Sequence, residues 1–259
     1  MIMNRTVRGL KVACWVNDKG FADGRRNLVF VHRSGRDHAI WWCQYGDLQD
    51  YFNVAAIDLL GHAASEGSGE RDVIRYVEWV RETIASLGFG NPILIGHSLG
   101  AAIGLAFAVQ HGEFLSALVT VGGGVKMPVN PLILSGISRD FAATTALCVK
   151  FGLAGKNHEW LSAELLDGLS RVNPDVIHGD FLACDAFDMT DSLSAINVPT
   201  LLICGTEDRM TPPAYSKFLA ERIQEVSLVL LEGAGHYVML EKVNAFNQTL
   251  VDFVHGLPR

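Results

Sequence analysis

Pro92-Ile93-Leu94-Ile95-Gly96-His97-Ser98-Leu99-Gly100-Ala101-Ala102-Ile103-Gly104 joins an apolar run to a small-residue helix through a turn centred on a serine. The run lacks clean alternation, which is how a strand reads when helices cover both of its faces. A serine at such a junction must hold a strained backbone, and glycines at 96 and 100 let strand and helix approach closely. Gly96-x-Ser98-x-Gly100 therefore predicts a nucleophile elbow. The pentapeptide alone is a weak signal, since a serine that merely caps a helix would read the same way. Its strand–turn–helix setting carries the argument. A nucleotide-binding reading fails, because Gly96, Gly100 and Gly104 lie mid-chain with the wrong spacing and no GxxxxGK[ST] occurs.

Working outward, similar short apolar runs recur at Leu28–Val31, Val54–Ile57, Leu115–Val121, Thr200–Cys204 and Ser227–Leu231. Helical patterns separate them, at Asp72–Leu87, Leu99–His111, Pro213–Ile223 and Val243–His255. The alternation predicts βαβ units in a mostly parallel, doubly wound α/β sheet. Leu10–Val16 reads as an antiparallel edge strand. Residues 127–198 break the rhythm with three helical stretches, Pro131–Phe151, His158–Val172 and Asp180–Leu193. The expected organisation is a core of residues 1–126 and 199–259 with a helical insertion at 127–198.

The composition agrees with a core-rich globular chain. Of 259 residues, 49% are hydrophobic and only 19% charged, which excludes a disordered or coiled-coil reading. A net charge of −7 argues against nucleic acid as a partner. The five cysteines are odd in number and never spaced as CxxC, so reduced thiols are expected. Met1–Gly20 contains no apolar signal-peptide core, and no run approaches a membrane span. Together these predict a cytoplasmic protein with no membrane span. The histidines at 38, 111, 158, 178 and 255 show no HxH or HExxH spacing, so no metal is expected.

A serine hydroxyl needs a base to remove its proton and a carboxylate to hold that base in one tautomer. Thr200–Cys204 is followed by Gly205-Thr206-Glu207-Asp208-Arg209-Met210-Thr211-Pro212, and Ser227–Leu231 by Glu232-Gly233-Ala234-Gly235-His236. Both candidates lie just past carboxyl ends of strands, where α/β sheets place their chemistry. The order Ser98, Asp208, His236 is that of the elbow architecture. The elbow also offers the Leu99 N–H, at a helix N-terminus, to a developing oxyanion.

In these segments the chain resembles the α/β-hydrolase fold superfamily, over nearly its whole length. Gly205-x-x-Asp208-x-x-x-Pro212 is similar to the family's acid loop and Gly235-His236 to its histidine loop. Asp58-Leu59-Leu60-Gly61-His62-Ala63-Ala64-Ser65 is similar to its DxPGHGxS segment, with Leu60 and Ala63 in place of Pro and Gly. The resemblance implies an α/β-hydrolase fold whose insertion at 127–198 is a helical cap. It favours Asp208 over Glu207 as the acid, and by position it assigns the second oxyanion N–H to Ser34. Arg33 stands where relatives carry glycine. Its guanidinium is expected either to point outward into water, the plainer reading, or to face the pocket and favour substrates with a second, anionic group.

The resemblance further implies a serine hydrolase acting, without a cofactor, on an ester or thioester of a small to medium carboxylic acid. Its partner is a small-molecule acyl substrate, and the state stays open between monomer and homo-oligomer. Some members run other cofactor-free triad chemistry, such as C–C hydrolysis, perhydrolysis or lyase reactions, and others are slow-turnover receptors. His97 reads as a satisfied histidine beneath the nucleophile, and His32 and His62 as partners of backbone loops. Trp41 and Trp42 are expected to pack the helix after the oxyanion loop. In the insertion, Phe141, Leu147, Phe151, Trp160, Leu165, Phe181 and Phe187 suit either an acyl pocket or an ordinary cap core.

Overall fold

Short runs of aliphatic residues set the strands β1 (Ile2–Val7), β2 (Leu10–Val16), β3 (Asn27–Val31), β4 (Asn53–Ile57), β5 (Ile93–His97), β6 (Ala117–Val121), β7 (Thr200–Gly205) and β8 (Val226–Leu231). The computed structural model describes residues 1–155 and 159–258. The strands pair in the order β1-β2-β4-β3-β5-β6-β7-β8. Pairings of β1 with β2 and of β2 with β4 are antiparallel, and those from β4 through β8 are parallel. Within β3, Leu28 and Phe30 join one apolar cluster while Val29 and Val31 join the other, on the opposite face. Burial on both faces explains why these runs do not alternate.

Helices α1 (Trp42–Leu48), α2 (Val73–Ser86), α3 (Leu99–His111), α8 (Pro213–Ala220), α9 (Val238–Glu241) and α10 (Val243–Gly256) accompany the sheet. On α2 the buried residues Val73, Tyr76, Val77, Val80 and Ile84 form one apolar stripe, and the Asp72 side chain caps the helix by accepting from Ile74 N–H at 2.7 Å. Helix α3 is buried from Leu99 to Ala108, which suits its run of small and apolar residues.

Between β6 and β7 lie α4 (Pro131–Arg139), α5 (Phe141–Gly152), α6 (Glu159–Ser170) and α7 (Pro174–Ala186). Their boundaries differ from the expected ones in three places. The single stretch Pro131–Phe151 is two helices, because Asp140 leaves the helical region and its side chain caps α5 at Ala143 N–H. The stretch read as Asp180–Leu193 begins at Pro174 and ends at Ala186, since Asn173 caps the helix ahead of a proline at its first position. Helix α6 covers Glu159–Ser170, and His158 lies outside the described residues. Leu10–Val16 is also not the edge. β1 lies outside it, with Ile2, Asn4 and Thr6 exposed and Met3, Arg5 and Val7 more covered, an alternation that apolar Ile2 and charged Arg5 hide in the sequence.

The chain runs from β3 outward to β4 and then returns past β3 to β5. That reversal opens a crevice at the carboxyl ends of β3 and β5, where doubly wound sheets bind their ligands.

Candidate active site

At the end of β5 the backbone turns sharply through Ser98, with φ 56° and ψ −110°. A left-handed serine is strained, and the surrounding packing holds it there. A Cβ on residue 96 would lie 2.0 Å from the Gly100 carbonyl oxygen, and one on residue 100 would lie 2.3 Å from that of Val31. Only glycine fits at either position. Ser98 N–H donates to Val121 O at 2.9 Å, tying the elbow to β6.

His236 is fully buried in the loop after β8, and its Nδ1 lies 2.8 Å from Asp208 Oδ2. Asp208 Oδ1 accepts from the N–H groups of Met210 and Thr211, each at 2.9 Å. The Thr211 hydroxyl donates to Asp208 Oδ2 at 2.9 Å. Burial alone would raise the Asp208 pKa, but the charge and hydrogen bond of His236, with the Thr211 donors, hold it below the usual value. Nδ1 therefore points its proton at a carboxylate. Nε2 is buried with no partner among the described residues. Thr211 was not singled out from the sequence, and a threonine in a loop carries no signal of this role.

His97 lies beneath the elbow, its ring 4.7 Å from that of His236. Its Nε2 donates to the His236 carbonyl at 2.9 Å, and burial, followed by the charge of His236, pushes its pKa well down. It is a neutral structural histidine. His32 is neutral too, since Nε2 accepts from Leu59 N–H at 3.0 Å and Nδ1 donates to Arg33 O at 2.8 Å. His62 Nδ1 donates to Leu60 O at 2.9 Å.

After β3, Arg36 N–H donates to Arg33 O at 3.2 Å, closing a turn in which Gly35 takes φ +65°. A Cβ there would meet Ile177 at 2.8 Å, so both dihedral and space require glycine. Neither Ser34 N–H nor Leu99 N–H has a partner among the described residues. Ser34 and Ser98 face the same cavity.

That cavity holds about 440 Å³. Met127, Leu132, Ile133, Leu147, Phe151 and Phe181 make its wall largely apolar, and Thr211 and Cys184 also line it. Of the insertion aromatics and leucines considered in the sequence, Leu147, Phe151 and Phe181 line it, whereas Leu165 and Phe187 are buried in the cores and Trp160 is 58% exposed. Arg209 is the charged residue in the described wall. Its Nη2 donates to the Lys150 and Leu153 carbonyls, both at 2.8 Å, and its guanidinium lies 5.4 Å above the Phe151 ring.

Two expectations need correcting. Arg33 neither points into water nor lines the cavity: it is 1% exposed, its Nη1 donates to Tyr237 OH at 2.9 Å, and it stacks on that ring. No carboxylate pairs with it among the described residues. Trp41 is buried, but Trp42 is 48% exposed. Glu207 is exposed and accepts from Gly155 N–H at 3.2 Å, away from the histidine. Asp37, His38 and Asp58 gather ligand atoms within 4.8 Å of one another and could receive a cation. His38 N–H and Nδ1 already engage Asp58 Oδ1, and Asp37 Oδ1 caps Ala39 N–H.

A strained serine elbow and a buried Asp–His pair, on the carboxyl edge of a parallel sheet, define the class of elbow hydrolases. The chain belongs to the alpha/beta hydrolase family, whose model matches residues 28–249. A Caulobacter sp. (strain K31) chain named for carbamate hydrolysis is 26% identical, covering 92% of this chain and 93% of its own length. A pimeloyl-[acyl-carrier protein] methyl ester esterase of Salmonella newport (strain SL254) is 24% identical, over 92% and 97%. Among solved structures, a thermophilic esterase is 31% identical with TM-score 0.84, over 100% and 99%. An enol-lactonase of Burkholderia xenovorans LB400 shares the fold with TM-score 0.90 at 22% identity, over 98% and 100%. The chain is a hydrolase of this family. No helix among the described residues is long and apolar enough to cross a membrane, and all five cysteines are free.

Proposed function

We propose that this chain hydrolyses carboxylic esters or thioesters of small to medium acids through an acyl-enzyme on Ser98. The observation that carries the reading is the Asp208–His236 pair at 2.8 Å beside a serine elbow that opens onto an apolar cavity. His236 Nε2 takes the Ser98 proton as Oγ attacks the acyl carbon. The N–H groups of Leu99 and Ser34 receive the oxyanion. Asp208 stabilises the imidazolium, which then protonates the departing alcohol or thiol. Water, deprotonated by the same His236, attacks the acyl-enzyme and releases the acid.

The insertion at 127–198 acts as a cap, supplying most of the wall that receives the acyl chain. As the charged residue in the described wall, Arg209 favours acyl groups that carry a second, anionic group. The relatives named as esterases support the ester reading. The test is activity-based profiling across acyl and leaving groups with Ser98→Ala as control. Serine-dependent multiple turnover on esters is expected; a single burst would indicate a slow receptor, and turnover confined to C–C or peroxy chemistry would overturn the ester reading.

A further inference from the structure

Asp180, on α7 of the insertion, is fully buried and lies 145 positions from the oxyanion loop, yet it accepts from Gly35 N–H at 2.9 Å. Three donors converge on its carboxylate. Gly35 N–H and His62 Nε2, at 2.9 and 3.0 Å, share Oδ2, and the Tyr76 hydroxyl donates to Oδ1 at 2.7 Å. His62 is fixed by what faces it. Its Nδ1 meets the Leu60 carbonyl and its Nε2 meets this carboxylate, so both nitrogens face acceptors and the ring is held as imidazolium. Burial, the largest single influence, would lower the His62 pKa, but the charge and hydrogen bond of Asp180, with the Leu60 carbonyl and the Asp58 charge, together raise it.

We infer that Asp180 is a positioning residue for the oxyanion loop: paired with His62, it holds Gly35 N–H and so fixes the turn that presents Ser34 N–H to the reacting carbonyl. The inference rests on the proposed acyl-enzyme reading. The turn is also held by its own Arg36–Arg33 hydrogen bond, the His32 bridge, Arg33 on Tyr237, Arg36 Nη1 on the Leu165 carbonyl at 3.0 Å and the Ser34 Oγ–Cys184 Sγ contact at 3.7 Å. Asp180 alone among these supplies a carboxylate to a main-chain N–H of the turn. Gly35 is the residue between the candidate donor and the insertion. A cap helix thus sets the geometry of a core loop, and the hole is complete only when α7 is docked. Charge-assisted bonds to a buried carboxylate are the stronger and more directional kind, which suits this task.

The experiment measures kcat and KM on a neutral aryl ester, per active site titrated with a fluorophosphonate. Asp180→Ala should lower kcat roughly 10²-fold, the order of losing one oxyanion donor, with KM within about threefold. Asp180→Asn, which keeps one acceptor but not the charge, should fall between that variant and wild type. Tyr76→Phe removes a donor from the same carboxylate without touching the loop, so it should lose thermal stability but keep kcat within about threefold. A merely structural Asp180 would lower Tm and the titrated fraction while leaving kcat per site intact, and that outcome overturns the proposal. An equal kcat loss in Tyr76→Phe overturns it as well. Should Asp180→Ala not fold, Asp180→Asn decides, and a wild-type kcat there overturns it. Ser98→Ala distinguishes the two levels: if it abolishes turnover while Asp180→Ala does not change kcat, only the positioning role is lost.

Discussion

Ser98 is expected to be the residue on which all turnover depends. Ser98→Ala should cost roughly 10⁴–10⁶ in kcat with an unchanged circular dichroism spectrum, because triad members act as a unit. Asp208→Asn should cost roughly 10⁴-fold, since the amide would present the wrong histidine tautomer, whereas Glu207→Gln should cost less than about threefold. Steady-state kinetics on one ester series checks both substitutions. Arg33 takes neither place that the sequence offered it, and the charged residue on the described cavity wall is Arg209. Arg33 is buried against Tyr237, so Arg33→Gly should lower hydrolysis of neutral and acidic esters by the same factor, roughly tenfold or more, by loosening the loop beside Ser34. Arg209→Gln should instead reduce kcat/KM for an acidic half-ester by up to about tenfold and leave its neutral methyl analogue within about threefold. Equal kcat/KM on the two esters in wild type would remove Arg209 from substrate selection.

Elements succeed or fail at their contacts. In the elbow, Gly100→Ala places a methyl group 2.3 Å from a main-chain oxygen that cannot move without disturbing β3. Gly104→Ala meets only the tip of Leu118, at 2.8 Å, which can shift. Gly100→Ala should therefore give insoluble or inactive protein, and Gly104→Ala a folded enzyme with a lowered Tm; expression and calorimetry check the contrast. The His62–Asp180 pair joins two elements and carries a pH signature. A raised histidine pKa means a stabilising contribution that is complete below pH ~6.5 and fades as pH rises through the raised value. The Tm difference between wild type and His62→Gln should accordingly be largest under mildly acidic conditions and shrink above neutrality. Helix boundaries in the insertion were legible in part. The start at Pro131 was read and is observed, whereas Asn173-Pro174 is an equal start signal that apolar periodicity alone passes over.

For the whole molecule, the candidate site lies at the carboxyl edge of the sheet, and residues 127–198 line most of the cavity beside it. Ile133→Trp should fill part of the cavity and move the preferred acyl chain of an ester series shorter by about two or more methylenes, with little change on acetyl esters. The α/β class, the strand runs from Leu28 onward, the elbow and the candidates Ser98, Asp208 and His236 were all readable beforehand. They depend on local chemistry: aliphatic runs, glycines that a tight turn demands, and a fixed order along parallel strands whose carboxyl ends share one edge. The outer position of β1, the burial of Arg33, the Thr211 hydroxyl on Asp208 and the reach of Asp180 to Gly35 were decided only by the tertiary structure. Each joins or places residues through packing between distant segments, and neither spacing nor periodicity along the chain records which buried donor will meet which acceptor.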